Sequence, residues 1–172
     1  MSRDGTVRLS EHQEMWDKAF EVLSHDVAAL MAPYRLTLHH VGSTAIPGIK
    51  AKPILDVLGV ADSLAQFDLC QSRLEAYGIT CKGEYGIAGR RYCVLYDSTS
   101  ENAYAHFHIY EHGHPEIEQH LFFRDYLRAH PDAARDYQNL KEGLRHQHQG
   151  NRAQYTKDKA DFIQGILKRA VV

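Results

Sequence analysis

The feature that most constrains the fold is a short loop between two apolar segments. The segment Leu36–Val41 is typical of a strand and runs directly into Gly42 and Ser43. A loop with a Pro-Gly pair and two lysines follows, and residues 53–60 form a second apolar segment. Glycine lets the backbone approach a ligand closely, and a Gly-Ser turn offers N–H groups and a hydroxyl to an anion. The segment therefore predicts two strands joined by an anion-binding turn.

Asp56 is the charged residue within the second apolar segment. An ionised carboxylate among isoleucine, leucine and valine is costly unless it is paired or bound to a metal. We therefore predict that Asp56 is a metal ligand, with the alternative that local backbone amides satisfy it. Lys50 and Lys52 add positive charge beside the turn, and Lys52 is a candidate for binding phosphate as a point charge.

His106 and His108 are candidates for the remaining metal ligands. In a strand they point to one face, while Phe107 and Ile109 point to the other and pack in the core. The alternative is a polar, half-exposed strand face. Two imidazoles and a carboxylate favour zinc, manganese or iron over magnesium. The predicted cofactor is a divalent metal ion, with Mg, Mn and Zn left open.

The order of these residues resembles a known signature. The Gly-Ser pair followed by an aspartate is similar to that of the DNA-polymerase-beta-type nucleotidyltransferases. The fuller string of Val-Gly-Ser-Thr, Pro-Gly and Lys-Pro-Ile-Leu-Asp resembles the GrpB family of small bacterial proteins. The resemblance extends to residues 83–92, 106–108, 123–128, 137–141 and 155–163, so it covers about residues 36–165.

This resemblance implies roles for several residues. In the related fold the Gly-Ser pair, which corresponds to Gly42 and Ser43 here, holds the triphosphate. A second acid follows the aspartate two residues later. Here that position is Leu58, so magnesium-dependent transfer is expected to be slow or absent. Related enzymes also fold a helical segment over the site, which makes Lys141 and Tyr155 candidates for binding the nucleotide.

Three further predictions concern charged residues. Arg91 begins a strand and is predicted to face the site and bind phosphate bidentately, unless it belongs to a surface arginine pair. Glu84 is a candidate additional acid. The helix residues Arg124, Asp125 and Arg128 are predicted to form a surface ion-pair set.

Composition limits the class of protein. The chain has 172 residues and a formal charge of −2 without a basic run, which predicts one domain over residues 1–172 and no extended nucleic-acid surface. No apolar stretch approaches the roughly 18 residues of a membrane span. Three cysteines without Cys-x-x-Cys spacing predict reduced, structural thiols and a cytoplasmic location. The oligomeric state stays open.

Hydrophobic periodicity predicts an α+β fold. A capping box at Ser10 opens a first helix that Pro33 ends, and a helix over residues 64–77 follows the second strand. Predicted strands cover residues 36–41, 53–60, 79–82, 91–96 and 104–110. Three helices follow Pro115, with breaks at His130-Pro131 and Gly150-Asn151. This order agrees with the fold that the resemblance implies, a small mixed nucleotidyltransferase-like β-sheet with flanking helices and a C-terminal helical segment.

Three functions are compatible with these residues. The first is a metal-dependent nucleotidyltransferase that acts on a nucleoside triphosphate and a small acceptor, with Asp56 and His108 as catalytic residues. The second is a catalytically weak or inactive nucleotide- or metabolite-binding module, which Leu58 favours. The third is a metal-dependent hydrolase that uses Asp56, His106 and His108.

Overall fold

The computed structural model describes residues 14–147 and 152–171. Within these residues the helices are α1 Met15–Met31, α2 Leu64–Leu69, α3 Gln71–Tyr77, α4 Pro115–Ala129, α5 Pro131–Gln147 and α6 Arg152–Leu167. The strands are β1 Leu36–Val41, β2 Leu55–Ala61, β3 Ile79–Cys81, β4 Arg90–Tyr96 and β5 Ala103–Glu111. A 3₁₀ turn at Ser43–Ala45 follows β1, and another at Lys168–Val171 follows α6.

The strands form one mixed sheet in the order β1-β2-β5-β4-β3. The central pair, β2 and β5, is parallel, and every other neighbouring pair is antiparallel. The parallel pair needs a long connection, which α2, α3, β3 and β4 supply. The predicted α+β fold with a small mixed sheet and a C-terminal helical segment is confirmed.

The two faces of the sheet have different partners because successive side chains in a strand alternate. Helices α1 to α3 cover one face with a core that includes Trp16, Val27, Val57, Phe67 and Phe107. The opposite face packs against α4 through a smaller cluster that includes Val41, Leu58 and Tyr110. Helices α4 to α6 pack together in a third cluster. Asp56, His106 and His108 alternate with core residues, so they lie on the α4 face.

Most predicted boundaries lie within two residues of the observed ones. The predicted helix over residues 64–77 is divided at Cys70, whose ψ of −3° interrupts the helical backbone. Gly78 ends α3 in the left-handed conformation, at φ 106°. The predicted capping box at Ser10 and the break at Gly150-Asn151 lie outside the described residues. Within the described ranges, no helix combines the length and apolar character that crossing a membrane requires.

Candidate functional site

The turn after β1 approaches the Asp56 side chain closely. Val41 pairs with Asp56 across the two strands, so the next residue, Gly42, lies over the carboxylate. Gly42 has φ 69° and ψ −168°, a region that is essentially restricted to glycine. A Cβ at this position would lie 2.5 Å from Asp56 Oδ2. The glycine is therefore required both by its backbone conformation and by the adjacent carboxylate.

His106 and His108 lie beside the same carboxylate. The parallel register places His106 opposite Asp56 and His108 opposite Leu58 on one sheet face. His106 Nδ1 is 3.6 Å from Asp56 Oδ1. His108 Nε2 is 3.9 Å from the same oxygen. The structure thus brings together the three residues predicted as metal ligands.

The Asp56 carboxyl group is partly desolvated but accessible, with a side-chain exposure of 37%. Burial by itself would raise the pKa of this carboxyl group. The adjacent His106 and His108 imidazoles outweigh the burial and hold the pKa of Asp56 below its ordinary value. Asp56 is therefore an ionised carboxylate that a cation can reach.

Two residues that the sequence analysis did not assign to the site contact His108. Arg90 Nη1 lies 3.5 Å from His108 Nδ1. The buried Arg90 guanidinium also donates to the carbonyl oxygens of Glu84, at 3.2 Å, and Tyr85, at 2.7 Å. The His120 ring on α4 lies 5.4 Å from that of His108. Burial lowers the pKa of His120 to about 4, so this imidazole is neutral at pH 7.

The prediction that Arg91 faces this site is wrong. Arg91 is opposite Ile109 on the face that carries α1 to α3. Its Nε and Nη2 atoms donate to the two carboxylate oxygens of Asp68 on α2, each at 2.7 Å. Arg90 lies opposite Tyr110 on the α4 face, so alternation directs Arg90 toward the site and Arg91 away from it.

Lys141 of α5 binds the turn beside Asp56. Lys141 is 3% exposed, and its Nζ donates to Ser43 Oγ at 3.1 Å and to the Lys50 carbonyl oxygen at 2.7 Å. Burial, and secondarily the charge of Lys159, lower the pKa of Lys141 to about 8, although Glu142 and Asp56 oppose this shift. The Lys141 amine is thus mostly protonated at pH 7 and lies beside the predicted phosphate-binding hydroxyl.

The other two residues predicted to bind the nucleotide are Tyr155 and Lys52. Tyr155 is half-buried on α6, and burial raises its pKa, while the charge of Lys159 opposes the rise. Tyr137 lies between α6 and the turn. Its ring stacks on that of Phe162 at 5.4 Å, and its hydroxyl forms a hydrogen bond with the Ser43 side chain. Lys52 is half-buried in the loop that leads to β2. The phosphate role of Lys52 and the nucleotide role of Tyr155 stay predictions.

Arginines of α4 fix the turn from one side. Arg124 donates to the His40 carbonyl oxygen at 3.2 Å, and Arg128 donates to the Ala45 carbonyl oxygen at 2.8 Å. Arg124 also forms the predicted ion pair with Asp125, at 2.7 Å. The prediction of a surface ion-pair set is therefore incomplete, because both arginines hold the backbone around Gly42 and Ser43.

A buried histidine fixes the turn from the other side. His40 Nδ1 is 3.1 Å from Asp17 Oδ1 on α1, and His40 Nε2 is 2.9 Å from Thr44 Oγ1. The ring also stacks on Phe20 at 5.0 Å. Burial lowers the pKa of His40 despite the neighbouring Asp17. The neutral ring can donate to the carboxylate and accept from the threonine hydroxyl, so it links α1 to the turn.

Glu84 has a local structural contact. Its Oε1 accepts from the Gly89 N–H at 2.7 Å and closes the loop between β3 and β4. The side chain is solvent-exposed. Its predicted role as an additional acid has no support from this contact.

The donors around Asp56 fit a divalent metal in chemistry, and nearly in spacing. Two ligands bound at about 2.1 Å in tetrahedral geometry lie about 3.4 Å apart. The 3.6 Å and 3.9 Å separations are slightly longer. Among the residues that the structure describes, no group of three His, Cys, Asp or Glu side chains is already arranged for coordination. Small side-chain movements would therefore be needed, and His108 Nε2 could bind only without its proton.

The sheet and its helices have a nucleotidyltransferase-like fold. A structure of the poly(U) polymerase Cid1 with MgGTP matches with a TM-score of 0.55 at 13% identity, over 78% of this chain and 43% of that chain. A cytoplasmic RNA terminal U-transferase matches with a TM-score of 0.55 at 15% identity, over 76% of this chain and 41% of that chain. At such identities the similarity concerns the fold alone.

The chain belongs to the GrpB family, whose model, described as GrpB protein, matches residues 6–169. The crystal structure of GrpB from Enterococcus faecalis matches with a TM-score of 0.85 and 32% identity, over 96% of this chain and all of that one. UPF0157 protein YqkA of Bacillus subtilis is 39% identical over 95% of this chain. The chain spans about half, 47%, of the length of YqkA.

Proposed function

We propose that the candidate site binds the triphosphate of a nucleotide together with a divalent metal, and that the protein is a metal-dependent nucleotidyltransferase for a small acceptor. The observation that carries this proposal is the contact of Lys141 with Ser43, one residue from the Gly42 backbone that lies over Asp56. A cationic amine, a hydroxyl and an ionised carboxylate in one place can bind phosphate and its counter-cation.

Each residue has a distinct task in this proposal. Ser43 Oγ and Lys141 Nζ bind phosphate oxygens, and Arg124 and Arg128 keep the turn in position through its carbonyl groups. Asp56, with His106 and His108 as further donors, would hold the metal. The bound metal would supply a positive charge that stabilises charge developing on the phosphate.

The acceptor hydroxyl needs a base, and His108 is the candidate. The ring is 19% exposed, so a small acceptor can reach it. Arg90 lies at Nδ1, so the tautomer that suits this contact carries its proton on Nε2, and the ring must turn or change tautomer before Nε2 accepts a proton. His108 therefore cannot act as the base and as a metal ligand at the same time. When His108 is the base, His106 is the remaining imidazole ligand.

One observation favours a binding module without turnover. Leu58 occupies the position of the second acid in related folds, and it is fully buried against Val41 and Tyr110 beneath α4. Leu58 is a core packing residue, so the site has fewer carboxylate oxygens with which to bind two metal ions. A nucleotide would then bind without efficient transfer.

A thermal-shift screen with product analysis tests both proposals. The common nucleoside triphosphates are tested with Mg²⁺, Mn²⁺ or Zn²⁺ and without metal. We expect metal-dependent stabilisation by a triphosphate that the matching monophosphate does not reproduce. Pyrophosphate release with labelling of an acceptor supports the transferase, and binding without products supports the module. Release of phosphate to water would support the hydrolase, and the absence of stabilisation would contradict both proposals.

The Lys141 pKa predicts that anion binding weakens in mild alkali. As the pH rises from about 7 to about 9, the protonated fraction falls about tenfold, and affinity for tripolyphosphate should fall with it. Because the folded-state pKa lies below the ordinary 10.5, charging Lys141 opposes folding below about pH 8, and this cost disappears toward pH 10.5. As the pH rises, the affinity for tripolyphosphate therefore falls while the free energy of unfolding rises. Lys141→Met should remove both pH dependences, and a variant that retained them would contradict this assignment.

Replacement of His108 tests its part in metal selection. If the imidazole is a ligand, His108→Ala should abolish any preference for Mn²⁺ or Zn²⁺ over Mg²⁺ in nucleotide binding. His112→Ala, in an exposed position after β5, is the matched control and should leave the preference unchanged. Titration calorimetry with each metal measures the effect. A preference that survives the loss of both His106 and His108 would show that other ligands select the metal.

A further inference from the structure

Two cysteines that are 12 positions apart meet across the edge of the sheet. Cys81 on β3 is directly opposite Cys93 on β4. Both thiols are free, and Cys93 Sγ donates to Cys81 Sγ at 2.8 Å. The spacing in the sequence gave no indication of a pair, because only the strand register brings them together.

The strand register around this pair is compatible with a disulfide. The Lys82 N–H donates to the Tyr92 carbonyl oxygen at 2.8 Å, so the adjacent Cys81 and Cys93 form a non-hydrogen-bonded pair. Such pairs have Cα atoms about 4.5 Å apart, which lies within the range of about 4.4–6.8 Å found for disulfides. Both side chains also point to the same face of the sheet, toward the core under α1 to α3.

The two thiols differ in a way that suits sequential reaction. Cys81 is partly exposed, whereas Cys93 is 1% exposed. The hydrogen bond from Cys93 lowers the pKa of Cys81 despite its burial, and the same contact together with burial raises the pKa of Cys93. Cys81 is thus the accessible nucleophile, and Cys93 is held behind it as the second thiol.

We propose that Cys81 and Cys93 form an oxidisable dithiol, which a small-molecule disulfide converts into an intramolecular cross-strand disulfide. The Cys81 thiolate attacks one sulfur of the small disulfide and releases the other as a thiolate. The Cys93 thiol gives its proton to this released thiolate, and its sulfur then attacks Cys81 Sγ and displaces the second small thiolate, which takes up the proton that Cys81 lost to solvent. Two protein thiols and one small disulfide thereby become one protein disulfide and two small thiols.

The third cysteine serves as an internal control. Cys70 is fully buried, its Sγ contacts the Met31 carbonyl oxygen at 3.6 Å, and Arg73 Nη2 donates to it at 3.0 Å. It has no place in the dithiol and should stay reduced. The dithiol is also independent of the proposed function, because Cys93 lies on the opposite sheet face from His106 and His108.

Incubation of the reduced, native protein with oxidised glutathione tests the proposal. We expect titratable thiols to fall from the three of the sequence to one, and the intact mass to fall by two hydrogen atoms. Trypsin cuts after Lys82, Arg90 and Arg91, so digestion should give two peptides joined by the Cys81–Cys93 bond. Cys70→Ser should react in the same way and finish with no free thiol.

The cysteine variants identify the order of reaction and supply the contradicting results. Cys93→Ser should stop at a mixed disulfide between Cys81 and glutathione, and Cys81→Ser should react far more slowly. Three thiols remaining in the wild-type protein, a stable glutathione adduct on it, or a disulfide-linked dimer would each overturn the proposal. Circular dichroism of every variant before oxidation shows that it is folded.

Discussion

Replacement of Asp56 by asparagine should remove metal-dependent nucleotide binding and leave the fold in place. The substitution keeps the shape of the side chain and removes the negative charge that would attract the cation. We expect at least about a thirtyfold loss of affinity, or about 2 kcal/mol, because contacts to charged groups are worth about 1.5–3 kcal/mol each. Calorimetric titration with manganese and a triphosphate measures this loss, and thermal unfolding measures the stability of the same sample.

Asp68→Asn is the matched control for this experiment. Asp68 has a side-chain exposure of 36%, close to the 37% of Asp56, but it pairs with Arg91 on the opposite sheet face. The control should change nucleotide binding little. If Asp56→Asn instead lowers the melting temperature and keeps its ligand affinity, then Asp56 is a structural acceptor and its metal role is wrong.

Alanine at position 42 should damage both stability and binding. The observed backbone at φ 69° and ψ −168° costs a non-glycine residue about 1–3 kcal/mol. The added Cβ would also meet Asp56 Oδ2 at 2.5 Å, and such overpacking typically costs about 1–3 kcal/mol more. We therefore expect Gly42→Ala to lower the free energy of unfolding by about 3 kcal/mol and to displace the carboxylate. Urea unfolding and nucleotide titration measure the two effects.

The substitution Gly48→Ala is a control that separates backbone strain from the steric clash with Asp56. It also has a positive φ, at 79°, but a Cβ there would meet nothing within 4 Å. Gly48→Ala should therefore carry backbone strain alone, of about 1–2 kcal/mol, and should leave nucleotide binding intact. Equal losses in the two variants would show that the contact between Gly42 and Asp56 has little energetic weight.

Local sequence patterns predicted most of the secondary structure. Alternating apolar residues identified the strands, and Gly78 and Pro131 marked helix boundaries correctly, because period and backbone restriction are local properties. Alternation also placed His106 and His108 on one face, since side chains in a strand have a period of two. The position of Gly42 at the end of a strand, together with the family resemblance, predicted that Gly42 and Asp56 would lie in one pocket.

Register and helix packing decided the rest of the candidate site. The pairing of β4 with β5 decided the roles of Arg90 and Arg91, because Arg90 lies opposite Tyr110 on the α4 face and Arg91 lies opposite Ile109 on the other face. His120 reached His108 only because α4 packs on that sheet face, and no local pattern distinguishes it from a surface histidine.

The sequence by itself therefore determined the elements, the α+β class and the Gly-Ser-Asp centre, all of which depend on residues that are close along the chain. The family resemblance made Lys141 a candidate, but only the tertiary structure decided which distant side chains make contact. Lys141 meets Ser43 across 98 positions because α5 packs against the turn, and Cys81 meets Cys93 because β3 and β4 pair in one register. Long-range packing determines these contacts, and the local periodicity of the sequence does not predict them.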